Sequence, residues 1–184
     1  MSLYISRKYK NEVLEKCRNT EDELCSVVLQ GESWHPSQAE DEVRKMYDAW
    51  EKVSRKSHFL KTNYSGSLRR FVIKYDKDNE SCRGEFRILA LLKKNEKTER
   101  QEQKVSEYLN WYCSWVKASG NFEDISVEFA FCQKDDYADS IRKFFEGEDF
   151  EKTPEEEWNM AVSYAVSKRR RFAESGKLKR EKDS

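Results

Sequence analysis

A chain of 184 residues with 38% charged side chains suits one domain with a sizeable core, and no apolar run approaches the ~20 residues that a membrane span needs. Thirty-five Lys and Arg balance 35 Asp and Glu, so the formal net charge is zero, which counts against a dedicated non-specific nucleic-acid binder, a class that is usually basic. Five cysteines (Cys17, Cys25, Cys82, Cys113, Cys132) show no C-x-x-C spacing and only two histidines accompany them, so no metal site is expected and the thiols read as free.

Tyr4-Ile5 is followed at once by Ser6-Arg7-Lys8-Tyr9-Lys10, so no leader is expected and the location should be cytoplasmic. Residues 1–21 read as a charged helical segment whose stripe is Tyr9, Val13, Leu14 and Cys17. Leu24 to Gln30 reads as a buried strand ended by Gly31. Ser37 with Glu40 three residues on has the form of a capping box, opening a helix with Val43, Met46, Tyr47, Trp50 and Val53 on one face. His35 and His58 fall in loops and are expected to face solvent.

Leu68 to Asp76 and Arg83 to Leu92 are rich in β-formers, and Lys77-Asp78-Asn79-Glu80-Ser81 between them carries turn chemistry. The two runs therefore predict a β-hairpin at the centre of a sheet. Residues two apart share a face. Phe86, Ile88, Ala90 and Leu92 should oppose Glu85, Arg87, Leu89 and Leu91; Arg69, Phe71, Ile73 and Tyr75 should oppose Leu68, Arg70, Val72 and Lys74. One face packs on helices and the other presents Glu85, Arg87, Arg70 and Lys74.

Residues 99–118 predict an amphipathic helix with Val105, Tyr108, Leu109, Tyr112, Trp115 and Val116 inward, stopped by Gly120. Ile125 to Cys132 alternates cleanly and predicts a strand covered on one side. A short helix follows over 136–145. Thr153-Pro154-Glu155-Glu156 signals the start of a last helix that buries Trp158, Ala161, Val162, Ala165 and Val166 and ends in Lys168-Arg169-Arg170-Arg171. The expected fold is α+β: an antiparallel sheet of four to five strands, four of them visible, with helices packed mainly on one face. The chain divides into the segment 1–21, a single domain over 22–176 and a basic tail over 177–184.

The run Gly66-Ser67-Leu68-Arg69-Arg70-Phe71-Val72-Ile73-Lys74-Tyr75-Asp76, followed by Gly84-Glu85-Phe86-Arg87-Ile88-Leu89-Ala90-Leu91-Leu92, resembles the core of the Gram-positive plasmid rolling-circle replication initiators, Rep proteins of the HUH endonuclease type. Their first strand reads G-x-[IL]-R-x-[LF]-E-[IV]-T-Y-N and their second H-P-H-F-H-V-L-L. The order of the flanking segments, through Trp111/Trp115, Ile125 to Cys132 and Lys168 to Gly176, is similar from about residue 22 onward. The resemblance implies a five-stranded sheet, a divalent cofactor such as Mn or Mg on the two histidines and an acid, and a tyrosine that attacks a DNA phosphodiester.

Here Glu85 and Arg87 stand where the histidines would be, Val72 where the acid would be and Phe144 where the tyrosine would be. Arginine is always cationic and only donates, and phenylalanine has no nucleophilic oxygen. No catalytic residue, metal or cofactor is therefore expected. The altered face could form an ion pair among Glu85, Arg87 and Glu128, hold phosphates through Arg70, Lys74 and Arg87, or be merely solvated.

The basic residues Lys168, Arg169, Arg170, Arg171, Lys177, Lys179 and Arg180 read as a phosphate-contacting segment or as a solvated helix end. The expected function is a DNA-binding, replication-initiator-like protein that has lost nicking. Its partner would be single-stranded or hairpin origin-like DNA, with itself or an active initiator as further partners and no membrane. The alternatives are an active nickase using relocated residues, Tyr137 above all with Glu85 and Glu128 as metal ligands, and a protein-interaction module derived from the same fold.

Overall fold

Two strands that are apolar on both faces organise the domain. The computed structural model describes residues 6–120 and 124–180; the outer ends of the expected N-terminal segment and basic tail lie outside the described residues. β2 (Tyr64–Asp76) and β3 (Ser81–Leu92) form the expected hairpin, in register from Asp76 opposite Ser81 to Leu68 opposite Leu89. Asp76 Oδ1 accepts the Asp78 N–H at 2.9 Å, and Glu80 takes a positive φ of 47° to close the turn.

β1 (Glu23–Trp34) pairs with the other edge of β3, β4 (Ser126–Phe131) with the outer edge of β1, and β5 (Phe172–Gly176) with β2. The sheet is antiparallel throughout, in the order β4-β1-β3-β2-β5. α2 (Ala39–Lys56), followed by the short α3 (His58–Asn63), connects β1 to β2, and α4 (Arg100–Ser119) connects β3 to β4. This is the β-α-β-β-α-β plan with a fifth strand added at the β2 edge.

Alternation along the strands yields two cores. Phe71, Ile73, Tyr75, Phe86, Ile88, Ala90 and Leu92 pack beneath α2, α4 and α6 (Glu156–Ser167). On the opposite face Leu24, Leu68, Leu89 and Leu91 pack beneath α1 (Arg7–Arg18) and α5 (Tyr137–Phe145), together with Leu178. Those two shorter helices cover one end of that face only, which leaves the row around Glu85 without a helix over it.

Several local expectations are corrected. β1 does not stop at Gly31: it passes through a bulge between Gln30 and Ser33 and ends at Trp34. Gly31 serves packing instead, because a Cβ there would collide with the Met46 sulfur. Ser37 and Glu40 form no capping box. His35 Nδ1 accepts the Ser37 N–H at 3.3 Å and Gln38 Oε1 accepts the His35 N–H at 3.2 Å, capping a 3-10 turn over Pro36–Gln38 before α2 begins. The His35 ring is also edge-on to Trp158 at 4.8 Å.

The largest revision is the rotation of α4. Its buried residues are Glu107, Trp111, Trp115 and Ala118, while Val105, Tyr108, Leu109 and Tyr112 of the expected stripe are exposed. Each tryptophan brings a large apolar area and one N–H that needs an acceptor. Trp111 Nε1 donates to Tyr64 Oη and Trp115 Nε1 to the Gln30 carbonyl, both at 2.8 Å. Burying both rings turns the Val105 side outward.

The last helix ends at Ser167, so Lys168–Arg171 is not its terminal turn but a link into β5. β5 went unseen in sequence because Phe172-Ala173-Glu174-Ser175-Gly176 has little strand character of its own. Its pairing with β2 depends on close approach: a Cβ on Gly66 would come within 2.8 Å of the Lys177 nitrogen, and Gly176 adopts a φ of 54°.

Candidate functional site

Alternation on four neighbouring strands brings four polar side chains into one row on the face that lacks a helix. Lys74 comes from β2, Glu85 from β3, Gln30 from β1 and Ser126 from β4, in registers fixed by Gln30 opposite Glu85 and Gln30 opposite Ser126. Glu85 is 2% exposed, yet it is fully engaged. Arg87 Nε donates to its Oε1 at 2.5 Å, Gln30 Nε2 donates to its Oε2 at 3.2 Å, and Lys74 Nζ stands 3.5 Å from the same oxygen. Ser126 Oγ then donates to Gln30 Oε1 at 2.7 Å, which completes a polar ladder across the sheet.

One of the three expectations for the face, the ion pair, is visible in this geometry. The ion pair forms, but between Glu85 and Arg87 within β3; Arg87 and Glu128 both lie opposite Val28, and the guanidinium turns to Glu85 instead. A carboxylate shared by a guanidinium and an ammonium cannot also serve a divalent cation without expelling them, so the residues present do not fit a metal ion. Val72, opposite Glu85, is buried and supplies no oxygen.

Arg70 requires a correction. Expected to present its charge to phosphates, it is 0% exposed. Nε pairs with Asp149 Oδ1 at 3.0 Å, Nη1 donates to the carbonyls of Phe144 at 3.1 Å and Glu146 at 2.6 Å, and Nη2 donates to that of Gly147 at 2.6 Å. It fastens the end of α5 and the loop beyond it to β2. Asp149 was missed in sequence, since nothing in Glu146-Gly147-Glu148-Asp149 marks one acid as buried.

The positions around the expected nucleophile are structural. Phe144 is buried against Phe145 with ring centroids 4.9 Å apart. Tyr137, the alternative nucleophile, is 2% exposed, and its hydroxyl accepts the Leu24 N–H at 3.0 Å. Burial pushes its ionisation above the usual range, and the Leu24 N–H offsets that only in part. The relocated nickase site is therefore not assembled.

The basic residues scatter in their engagements. Lys168 pairs with Glu40 at 2.8 Å, Arg171 with Asp149 at 2.5 Å, Lys177 with Asp22 at 2.7 Å and Arg180 with Glu174 at 3.2 Å. Arg169 lies over the Tyr47 ring at 5.7 Å, and Arg170 Nε donates to the Phe172 carbonyl at 3.1 Å. Arg169, Arg170 and Lys179 are exposed and have no carboxylate partner among the described residues. The cysteines are free; burial pushes the Cys17 and Cys82 thiols up to about 12, which leaves them unreactive.

Fold and site together define an α+β domain of β-α-β-β-α-β plan whose open sheet face carries a charge-paired polar ladder. The chain matches no family model, curated protein or solved structure. Among the described residues no helix is long and apolar enough to cross a membrane, and no cluster of three or more His, Cys, Asp or Glu could hold a metal ion.

Proposed function

We propose that this chain is a DNA-binding, replication-initiator-like protein of a plasmid or mobile element, acting in the cytoplasm, that does not nick DNA. The observation that carries the reading is the Glu85–Arg87 pair on the open sheet face, flanked by Lys74. The resemblance puts a metal and its two histidines at those positions; a fixed guanidinium there supplies positive charge without Lewis acidity. Lys74 is 48% exposed along its side chain, and Arg169, Arg170 and Lys179 add exposed cations that have no acidic partner to give up. Single-stranded or hairpin DNA fits a domain that presents a sheet face and separated cations rather than one basic helix.

The test is fluorescence anisotropy of labelled hairpin-forming DNA at several salt concentrations, with the intact protein and with Arg169→Ala/Arg170→Ala. Salt-sensitive binding that the double variant weakens supports the reading, and no binding even in low salt refutes it. Incubation of the same DNA with Mn²⁺ should leave it uncut; a covalent protein–DNA adduct would show that nicking survives.

One observation favours a second reading. Val105, Leu109, Tyr108 and Tyr112 are 51%, 49%, 37% and 39% exposed on one side of α4, an apolar stripe of the kind a protein partner covers. A protein-interaction module derived from the same fold would use it, and a co-purifying protein in the absence of DNA affinity would select that reading.

A further inference from the structure

Among the described residues, the buried side-chain nitrogens and oxygens without a hydrogen-bond partner all belong to one residue: Nε and Nη1 of Arg69. Arg69 is 6% exposed, and Nη2 donates to the Arg170 carbonyl at 3.2 Å. Its guanidinium lies 5.1 Å from the Trp50 and Phe86 rings and 5.5 Å from the Tyr47 ring. The rings attract the cation through their faces but accept no conventional hydrogen bond. No carboxylate pairs with it among the described residues, and burial makes the guanidinium easier to deprotonate than usual.

A buried cation without a counter-charge is among the costliest arrangements in a fold. Arg70, the next residue, shows what satisfaction requires: one carboxylate and three carbonyls. Arg69 has one carbonyl.

Beside it lies a cavity of about 430 Å³, walled by Trp50, Tyr64, Trp111, Ala90 and Ser54 as well as Arg69. That volume falls in the range of small-molecule sites, and the walls combine aromatic surface with a charged group, as such sites do. Lys61 adds a second positive charge to the lining, and Glu174, the acid on the wall, is already occupied by the Tyr9 hydroxyl at 2.6 Å and by Arg180.

We propose that this cavity binds a compact organic anion, its apolar or aromatic body against Trp50 and Tyr64 and its carboxylate or phosphate oxygens on the Arg69 guanidinium. Neither nitrogen reaches solvent as it stands, so binding draws the guanidinium toward the cavity, where the oxygens supply the acceptors that Nε and Nη1 lack and the apolar body removes ring surface from water. The inference goes beyond the DNA reading and does not depend on it. The cavity is separate from the Glu85 row, which stands on the opposite face of the sheet.

Calorimetric titration of the full chain with phenyl phosphate, benzoate, inorganic phosphate and benzyl alcohol tests it, with tryptophan fluorescence as a second readout. One or both aromatic anions should bind one-to-one, and which of them binds tells a phosphate head from a carboxylate. Benzyl alcohol should bind at least about tenfold more weakly than the better anion, as should inorganic phosphate, a head without a body.

Arg69→Met, which keeps the stem and removes the charge, should erase the difference between anion and alcohol. Ser54→Phe, which fills the cavity and leaves the guanidinium, should abolish binding and serves if the first variant fails to fold. No saturable binding of either aromatic anion at millimolar concentration, equal binding of the alcohol, or binding that survives both substitutions would overturn the proposal.

Discussion

Arg69 and Arg70 are neighbours in sequence and point to opposite faces of one strand, and their surroundings give them opposite energetics. Arg70 is held by four oxygens, so its removal would leave Asp149, also 0% exposed, with Arg171 as its one remaining cation and would take the donor from three carbonyls. Breaking a buried pair from one side costs about 3–5 kcal/mol, so Arg70→Leu should lower the urea unfolding free energy by about that amount. An exposed phosphate contact would lose affinity with little change in stability. Unfolding and DNA titration of the same variant separate the two roles.

Two acids give a pH dependence with a definite sign. Burial works to raise the Asp22 pKa, but hydrogen bonds from Lys177 and Ser65 outweigh it and hold the group below its ordinary 3.8. Burial likewise opposes ionisation of Glu174, and the Tyr9 hydroxyl and Arg180 bring it below 4.5. Since the folded values lie below the unfolded ones, the stability that these groups supply is complete above those ordinary values and is lost as the pH falls through the folded ones. Stability measured from pH 6 down to pH 2 should therefore fall, and Asp22→Asn/Glu174→Gln should flatten the fall.

At the scale of elements, α4 displays a conflict between stripe and volume. Hydrophobic periodicity alone places Val105, Tyr108, Leu109 and Tyr112 inward, because each is apolar and the spacing is helical. Trp115, at the end of that stripe, is inward as expected, but Trp111 on the adjacent face joins it and together they set the rotation, since both rings bury fully and both N–H groups find acceptors. Trp111→Ala should cost about 3–5 kcal/mol, the range for large-to-small changes in a core, whereas Leu109→Lys should change stability by no more than about 0.5 kcal/mol. Thermal and urea unfolding of both variants check the assignment; a large loss for Leu109→Lys would mean that the stripe is covered.

β5 is an element of another kind. It joins the sheet because Gly66 and Gly176 let two backbones approach, and because Asp22, Glu174 and Leu178 fasten the chain on either side of the contact. None of that is a local propensity.

For the whole molecule, charge pairing decides what the neutral composition leaves open. Seven basic residues near the C-terminus touching seven phosphates would give a log-log salt slope of about 6. Four of them, Lys168, Arg171, Lys177 and Arg180, already face carboxylates. If only Arg169, Arg170 and Lys179 reach phosphates, the slope should be about 3, which anisotropy over a salt series measures directly. A slope near 6 would show that DNA strips the acidic partners away, a small cost for exposed pairs such as Lys168–Glu40.

The sequence by itself determined the hairpin, the face that each of its residues occupies, the stripe of α1 and the α+β class, because period-two alternation and turn chemistry are local and survive without knowledge of neighbours. Only the tertiary structure decided that Arg70 is a buried clamp, that Arg69 lacks a counter-charge, that Gln30 and Ser126 join the Glu85 row, that α4 turns Trp111 inward and Val105 outward and that residues 172–176 form a strand. Each of those depends on a partner distant in the chain: a carbonyl, a carboxylate, a ring or a strand edge. A charged residue's character is set by whether that partner arrives, and its one-letter identity does not say.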